Sequence, residues 1–456
     1  MNFVTLSYAV FLLLVVVIYW LLPRRLGRWF LIAASLAFYG SWNALYVPGF
    51  VALVVANWGL GLLAVSRPRL AVVATVTLDL GLLAIFKYLD FAIGSSAGLL
   101  ELLTGERPEW GMLGLVLPLA ISFVTFTMLA YVIDIARGSR PERNLGRYAL
   151  FVTFFPHLIA GPIMRGYEFL PQVRHPRPLA LVHFRLALPL LVSGFVKKVL
   201  GDNLAPSVNA VFADPGAFAS PFVWIGILAF AFQIFLDFSG YTDLALGSAH
   251  MLGFRLPLNF NWPYRATSIQ DFWRRWHMTL SRWLRDYLYI PLGGSRHGPA
   301  RTYLALITTM ALGGLWHGAG FTFLVWGLWH GVGLAAHRWW QRDRANPLPI
   351  PAPLAWVMTF VFVLIGWVFF RAESMPAALA TLSRAFSLDT TGQQLPVFVT
   401  LLCLVLLAGQ WPGWIELFRR AFPAGSARRY LAYGTAVAVA VMLMPVQTIS
   451  FIYFQF

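Results

Sequence analysis

Charge is scarce in this 456-residue sequence: Asp, Glu, Lys and Arg together make up 11% of it, against about 25% in soluble domains. Cysteine is scarcer still. Cys403 stands alone in an apolar run, which excludes disulfides and a cysteine-based metal site. Lysine is limited to Lys87, Lys197 and Lys198, so arginine carries nearly all the positive charge. Long polar stretches are missing: those near 137–147 and 372–395 are too short to bury a core of their own. No separate soluble domain is expected, and residues 1–456 read as one membrane domain. The Gly-Lys-Ser/Thr phosphate loop and the Gly-x-Gly-x-x-Gly dinucleotide fingerprint are absent as well, and histidine is the leading catalytic residue type.

Apolar length is abundant. Hydrophobic residues make up 59% of the chain, and the mean hydropathy is +0.70. A crossing helix needs about 20 apolar residues, and the chain offers roughly a dozen such runs. The expected fold class is all-α: a polytopic membrane protein of roughly 11–13 transmembrane or re-entrant helices, plus interfacial amphipathic helices. Spans are expected at Thr5 to Leu22, then near 28–43, 49–65, 70–89, 112–136, 186–201, 221–236, 302–315, 319–338, 354–370, 395–411 and 431–446. The first run has no basic residue before it and no small-residue cleavage site after it, so it reads as a retained helix rather than a signal peptide.

A formal charge of +16 with 19 tryptophans fits a chain bordered by anionic lipid headgroups, not a nucleic-acid binder. Basic residues fall in alternate loops: Arg24, Arg25 and Arg28; Arg67 and Arg69; Arg137, Arg140, Arg143 and Arg147. The intervening loops are uncharged, or acidic as between Asp90 and Trp110. By the positive-inside rule these arginines are cytoplasmic and the N-terminus is periplasmic.

Two segments break the pattern. Residues 148–171 carry Pro156, Gly161, Pro162 and Pro171, and residues 237–264 crowd Asp237, Ser239, Gly240, Tyr241, Asp243, Asn259, Asn261 and Pro263 into apolar surroundings. Each is expected to be a broken or re-entrant helix lining a cavity. Residues 269–290 read instead as one amphipathic helix in the interface plane. At 100° per residue its aromatic and leucine side chains share one face, Arg274, Arg275, Arg282 and Arg285 fall in a separate arc, and His277 projects at the edge of the apolar face.

Chemistry concentrates in two places. The run LGGLWHGAGFTFLVWGLWHG (312–331) holds two Trp-His-Gly triplets around His317 and His330. An ionisable residue at membrane depth is a functional-site hypothesis by default, and apolar surroundings favour the neutral, basic imidazole that a general base must present. Gly313, Gly314, Gly318 and Gly320 suggest room for a ligand beside His317. Against this stands a core histidine bonded to a neighbouring group. His330 and His337, seven residues apart, lack the carboxylates and third histidine of a zinc site; no metal is expected, and His330 reads as packing. His157 reads as a loop or interface residue. The second place is the arginine arc, either a lipid-binding face or the receptor for a phosphate-bearing donor, since guanidinium matches phosphate in fork geometry. Asp237 and Asp243 remain open between satisfied structural carboxylates, polar lining and orienters of an imidazole.

Several long motifs occur together and in order: FFPHLIAGPI (154–163), DFSGYTDLALG (237–247), LGFRLPLNFNWPY (252–264), SIQDFWRRWHMTLSRWLRDYLYIPLGGSR (268–296), the doubled Trp-His-Gly run, WVFFRA (367–372) and the ending FIYFQF. With these the chain resembles the membrane-bound O-acyltransferase superfamily, and within it the bacterial group that O-acetylates alginate. The resemblance implies a ring of helices around a thinned centre, with a central funnel leading to a deep histidine. The catalytic histidine of the first Trp-His-Gly motif matches His317, and the histidine of the Arg-Trp-His-Met motif matches His277. Arg274, Arg275, Arg282, Asp237, Asn259 and Trp316 are the expected substrate-binding residues.

The function expected is acetyl transfer from a cytoplasmic thioester, acetyl-CoA, across the inner membrane for O-acetylation of an extracytoplasmic polysaccharide such as alginate. Acetyl-CoA would be a substrate, with no bound cofactor. The chain offers no exported region large enough to hold a polymer, so a periplasmic partner of the serine-hydrolase-like acetyltransferase type is expected. The rival readings are a transporter or flippase, for which repeat-related halves would be expected and none is seen, and a scaffold of an exopolysaccharide assembly.

Overall fold

The computed structural model describes residues 3, 5–159, 161–176, 178–181, 184–343, 350–411, 413–445 and 451. Of the FIYFQF ending, only Phe451 lies within them. The protein is all-α and polytopic: among the described residues there is no strand, only an isolated bridge between Phe218 and Gln393. The chain divides into two compact units, Met1–Ala187 with Ala245–Pro257, and Leu188–Leu244 with Leu258–Phe456.

The first unit contains α1 (Leu6–Leu21), α2 (Arg24–Gly40), α3 (Val47–Leu63), α4 (Pro68–Leu83), α5 (Leu89–Thr104), α6 (Ile121–Ala136), α7 (Leu145–Thr153), α8 (Phe155–Leu158) and α9 (Gly166–Arg174). A π-helical turn at Ala84–Tyr88 joins α4 to α5, giving one apolar helical stretch over Pro68–Thr104. Of the span expected at 112–136, only α6 is helical. The preceding segment is held open because the Asp90 carboxylate accepts the Leu113 and Gly114 N–H groups at 2.8 and 3.0 Å.

The break expected in 148–171 is present between α7, α8 and α9. Side chains take over the backbone bonds that the break frees. Ser35 Oγ accepts the Phe155 N–H at 3.1 Å, and the buried His157 ring nitrogen Nε2 bonds the Phe151 carbonyl at 2.9 Å. His157 is therefore a core residue, not the loop or interface histidine expected. Backbone at membrane depth tolerates irregularity only when neighbours satisfy it in this way.

The second unit is built from α10 (Phe184–Ala213), α11 (Ser220–Met251), α12 (Ile269–Arg275), α13 (Met278–Leu284), α14 (Gly298–His317), α15 (Phe321–Arg338), α16 (Ala352–Arg371), α17 (Met375–Phe386), α18 (Val397–Ala408), α19 (Gly413–Ala421) and α20 (Ala427–Met442); the ends of α10 and α11 outside 188–244 belong to the first unit. Among the described residues four helical stretches are long and apolar enough to cross a bilayer: Ala44–Leu63, Pro68–Thr104, Ser220–Met251 and Ala352–Arg371. Leu6–Leu21, Ile121–Ala136 and Val397–Ala408 are shorter apolar helices.

Two expectations fail in the second unit. Helix α11 runs unbroken through Asp237, Ser239 and Gly240, so the irregular backbone begins only after Met251. The reason is a compensating neighbour. Lys198 of α10 pairs with Asp237 at 2.8 Å and with Asp202 at 2.5 Å, and Lys197 pairs with Asp243 at 2.6 Å. The two helices touch backbone to backbone, since a Cβ at Gly194 would lie 2.6 Å from the Gly240 carbonyl oxygen. The carboxylates are thus met by lysines on α10, and no helix break is needed to reach them.

The second failure is the single amphipathic helix over 269–290. The chain breaks at Trp276–His277, where His277 adopts a left-handed conformation with φ +40°, and α13 then runs into a π-helical turn at Arg285–Tyr289. Asn259 holds the break. Its carbonyl accepts the Met278 N–H at 2.9 Å, and its Oδ1 accepts the Thr279 hydroxyl at 2.6 Å and the Thr279 N–H at 3.3 Å. The first free amides of α13 are thereby satisfied by a residue distant in sequence.

Candidate active site

The break changes where His277 lies. It is fully buried rather than at the edge of a surface face, with its ring centroid 4.7 Å from Phe238 on α11 and 6.4 Å from Trp316 on α14. Burial pushes its imidazole down to about 3, so the ring is neutral at physiological pH. A left-handed non-glycine residue costs on the order of 1–3 kcal/mol and persists only where its surroundings enforce it. Asn259 and the aromatic packing do so here.

His317 is the last residue of α14 and retains 5% exposure. Its ring sits 4.9 Å from Trp316, 5.1 Å from Trp326 and 5.3 Å from Phe370, each edge-on. Trp316 therefore stands next to both expected catalytic histidines. Helices α14 and α15 form a tight hairpin that fixes this end of α14. A Cβ at Gly314 would meet the Phe323 carbonyl oxygen at 2.2 Å, and one at Gly318 would meet the Phe323 ring at 2.1 Å. The space over these two glycines is filled by Phe323, so they let the protein pack on itself rather than leaving a path for a ligand.

Of the four arginines in the expected arc, the structure brings three together. Arg274, Arg282 and Arg285 line a cavity of about 410 Å³ with Trp273, Met278 and Met310. Arg275 is directed elsewhere: its Nε donates to both Asp271 carboxylate oxygens at 2.9 Å. Thr309 and Met310 on the cavity wall lie on α14, about two helical turns (roughly 11 Å) before His317. Asp237 is placed in the buried Lys198–Asp202 ion cluster. Asn259 is placed beneath the His277 turn.

His330 is fully buried, with Trp273 and Trp326 ring centroids at 5.3 and 5.0 Å, and among the described residues neither ring nitrogen has a hydrogen-bond partner. A Cβ at Gly366 would lie 2.9 Å from its Nε2, so α16 packs directly on the imidazole. Among the described residues no group of three or more His, Cys, Asp or Glu could hold a metal. The reading of the sequence missed Trp326 and Phe370 as the walls of the His317 site, and Lys198 and Asp202 as partners of Asp237. Two adjacent lysines in an apolar run, with an aspartate four residues on, were the available signal for the latter.

All the residues of this site fall within 144–375, the part of the chain that matches the family described as MBOAT, membrane-bound O-acyltransferase. The chain belongs to the membrane-bound O-acyltransferase family. It is 43% identical over 387 residues to the probable alginate O-acetylase AlgI of Azotobacter vinelandii, covering 83% of this chain and 76% of that one. Similarity to the peptidoglycan O-acetyltransferase of Helicobacter pylori is 38% identity over 393 residues, or 79% and 73% of the two chains. The teichoic acid D-alanyltransferase of Streptococcus thermophilus is more distant, at 28% identity over 245 residues, or 50% and 58% of the two chains. The protein is thus a membrane O-acyltransferase, and the transporter and scaffold readings give way to an enzyme.

Proposed function

We propose that this O-acyltransferase takes acetyl groups from acetyl-CoA on the cytoplasmic side of the inner membrane and passes them outward for O-acetylation of a polysaccharide such as alginate. The observation that carries this reading is the placement of His317, at the end of an apolar hairpin and about two turns along α14 from a cavity with three arginines. Guanidinium groups suit the phosphates of a coenzyme A thioester, and an extended thioester arm spans the remaining distance to the imidazole.

In the reaction, an acceptor hydroxyl attacks the thioester carbonyl while an imidazole nitrogen of His317 takes its proton. The new C–O bond forms, the C–S bond breaks, and the proton passes on to the departing thiolate. General-base assistance of this kind contributes typically about 10²–10⁴-fold. His277, held neutral by burial, shapes the wall behind Trp316. Arg274, Arg282 and Arg285 receive the donor's phosphates, and Asn259 acts through the His277 turn. The alternating arginine loops support a periplasmic N-terminus. The acceptor hydroxyl belongs to the polymer or to the serine of a periplasmic hydrolase-like partner, because transfer needs reacting atoms about 3–3.5 Å apart and a loose polymer rarely holds that geometry.

The test is reconstitution in vesicles with labelled acetyl-CoA on the cytoplasmic face and alginate on the other. The protein with its periplasmic partner should label the polymer, and the protein alone should label little. Absence of label with partner present, while another acyl thioester is consumed, would overturn the donor; efficient labelling by this chain alone would overturn the relay.

A further inference from the structure

The first unit buries a second polar cluster that the acyl-transfer reading does not use. Asp79 on the membrane-spanning α4 is fully buried, as are Asn57 on α3, Thr75 on α4 and Tyr148 on α7. Thr75 and Asp79 are one turn apart on the same face of α4. Asn57 Nδ2 donates to Asp79 Oδ1 at 2.8 Å and to the Leu53 carbonyl at 3.2 Å, so both amide hydrogens are engaged. The Tyr148 hydroxyl lies within electrostatic range of the Asp79 carboxyl, and α7 packs on α3.

Among the described residues, four buried oxygens then remain with no hydrogen-bond partner: Asn57 Oδ1, Thr75 Oγ1, Asp79 Oδ2 and the Tyr148 hydroxyl. Among the described residues no lysine or arginine forms an ion pair with Asp79. A lone carboxylate with one amide donor is costly at membrane depth, and such residues are otherwise found paired. Leaving one buried polar atom unsatisfied costs about 1–3 kcal/mol, and here three of the four lie on α4 and α7, which both pack on α3, the helix that carries the fourth. What is present is a set of hard oxygen ligands carrying a single negative charge. Oxygen donors of this kind select hard cations rather than transition metals, and one carboxylate is neutralised by one positive charge.

We propose that Asp79, Asn57, Thr75 and Tyr148 form a binding site for one small monovalent cation, Na⁺, that locks α3, α4 and α7 together. The cation supplies at once the counter-charge that Asp79 lacks and the partner that the other three oxygens lack. The site lies wholly within the first unit and does not depend on the acyl donor or acceptor.

The test uses the full-length protein in detergent at pH 7.5, following thermal unfolding by tryptophan fluorescence as NaCl replaces choline chloride at constant ionic strength. Binding to the folded state alone raises Tm with ligand concentration, so a saturable rise with Na⁺ is expected, with K⁺ requiring higher concentrations. Thr75→Val keeps the shape and removes one oxygen, and should raise the half-saturating Na⁺ concentration by roughly tenfold or more. Asp79→Asn should abolish the Na⁺ response. Should Asp79→Asn fail to fold, the Thr75→Val shift decides. A wild-type Tm indifferent to Na⁺ would overturn the proposal, including the case where Tm responds only to acidification and the occupant is a proton. Equal half-saturation in wild type and Thr75→Val would overturn it as well.

Discussion

Substituting Gly314 by alanine tests whether the α14–α15 hairpin positions His317, the proposed catalytic histidine. The added Cβ would lie 2.2 Å from the Phe323 carbonyl oxygen and 3.1 Å from Gly327 Cα. Ordinary carbon–oxygen contacts begin near 3.3 Å, so the two helices must part by about 1 Å. Both obstructions are backbone atoms, and no rotamer change relieves them. Overpacking of this kind costs about 1–3 kcal/mol. His317 lies three residues further along the same helix, wedged against Trp326 and Phe370, so its ring should move by a comparable amount. A misplacement of about 1 Å can cost roughly 10²-fold in rate. Gly313→Ala is the control, because its Cβ meets the Leu284 methyls, Cδ1 at 3.1 Å and Cδ2 at 3.8 Å, the mobile end of a side chain. The assay pairs thermal unfolding with turnover of the proposed donor, acetyl-CoA, by the enzyme reconstituted with partner and polymer. Gly314→Ala should lose both stability and about two orders of magnitude in kcat, while Gly313→Ala stays near wild type. Equal behaviour of the two variants would refute the argument that hairpin packing sets the histidine.

Three further outcomes are expected. Replacing Arg274 and Arg282 together by glutamine should raise KM for the donor roughly 10- to 100-fold with little change in kcat, as for loss of charge-assisted contacts; Arg275→Gln, whose side chain is held by Asp271, should leave KM unchanged in the same steady-state assay. Asn259→Ala should lower both stability, by about 1–3 kcal/mol, and activity, whereas Asn259→Asp keeps the acceptor for Thr279 and should retain more of each. Stability should also fall with acidification through His277. Burial lowers its folded-state value from 6.5 to about 3, so below about 6.5 the unfolded chain binds a proton that the native protein does not. The contribution is complete above 6.5 and is lost progressively towards 3, and His277→Gln should remove up to about 1.36 kcal/mol per pH unit from that slope. Thermal unfolding between pH 5 and pH 8, a range chosen on the order of the histidine titration, checks the sign.

The legible and illegible parts of this protein divide by range of interaction. Helix runs and the broken stretch at 148–171 follow from local composition, because Pro156, Gly161, Pro162 and Pro171 act on their own backbone. His317 was legible because an imidazole in an apolar run is conspicuous. The continuity of α11 was not, since the polar residues that suggested a break are satisfied by Lys197 and Lys198 on another helix. The break at His277 was equally hidden: no glycine or proline marks it, and Asn259, which stabilises it, lies well upstream. The glycines around His317 suggested space for a ligand. Over Gly314 and Gly318 that space is occupied by Phe323, a residue whose packing the local sequence does not show. The arginine arc kept three of its four members because the break left Arg274, Arg282 and Arg285 on one wall, while Asp271 drew Arg275 away.

The most direct test of the account is the acetyl-CoA turnover of His317→Asn, a substitution that preserves a planar polar side chain among Trp316, Trp326 and Phe370. Measured beside wild type in purified protein reconstituted with partner and polymer, this variant should lose about 10²–10⁴-fold in kcat, with donor KM and unfolding temperature close to wild type. Wild-type turnover in a normally folded His317→Asn protein would contradict the proposal that this histidine carries the proton.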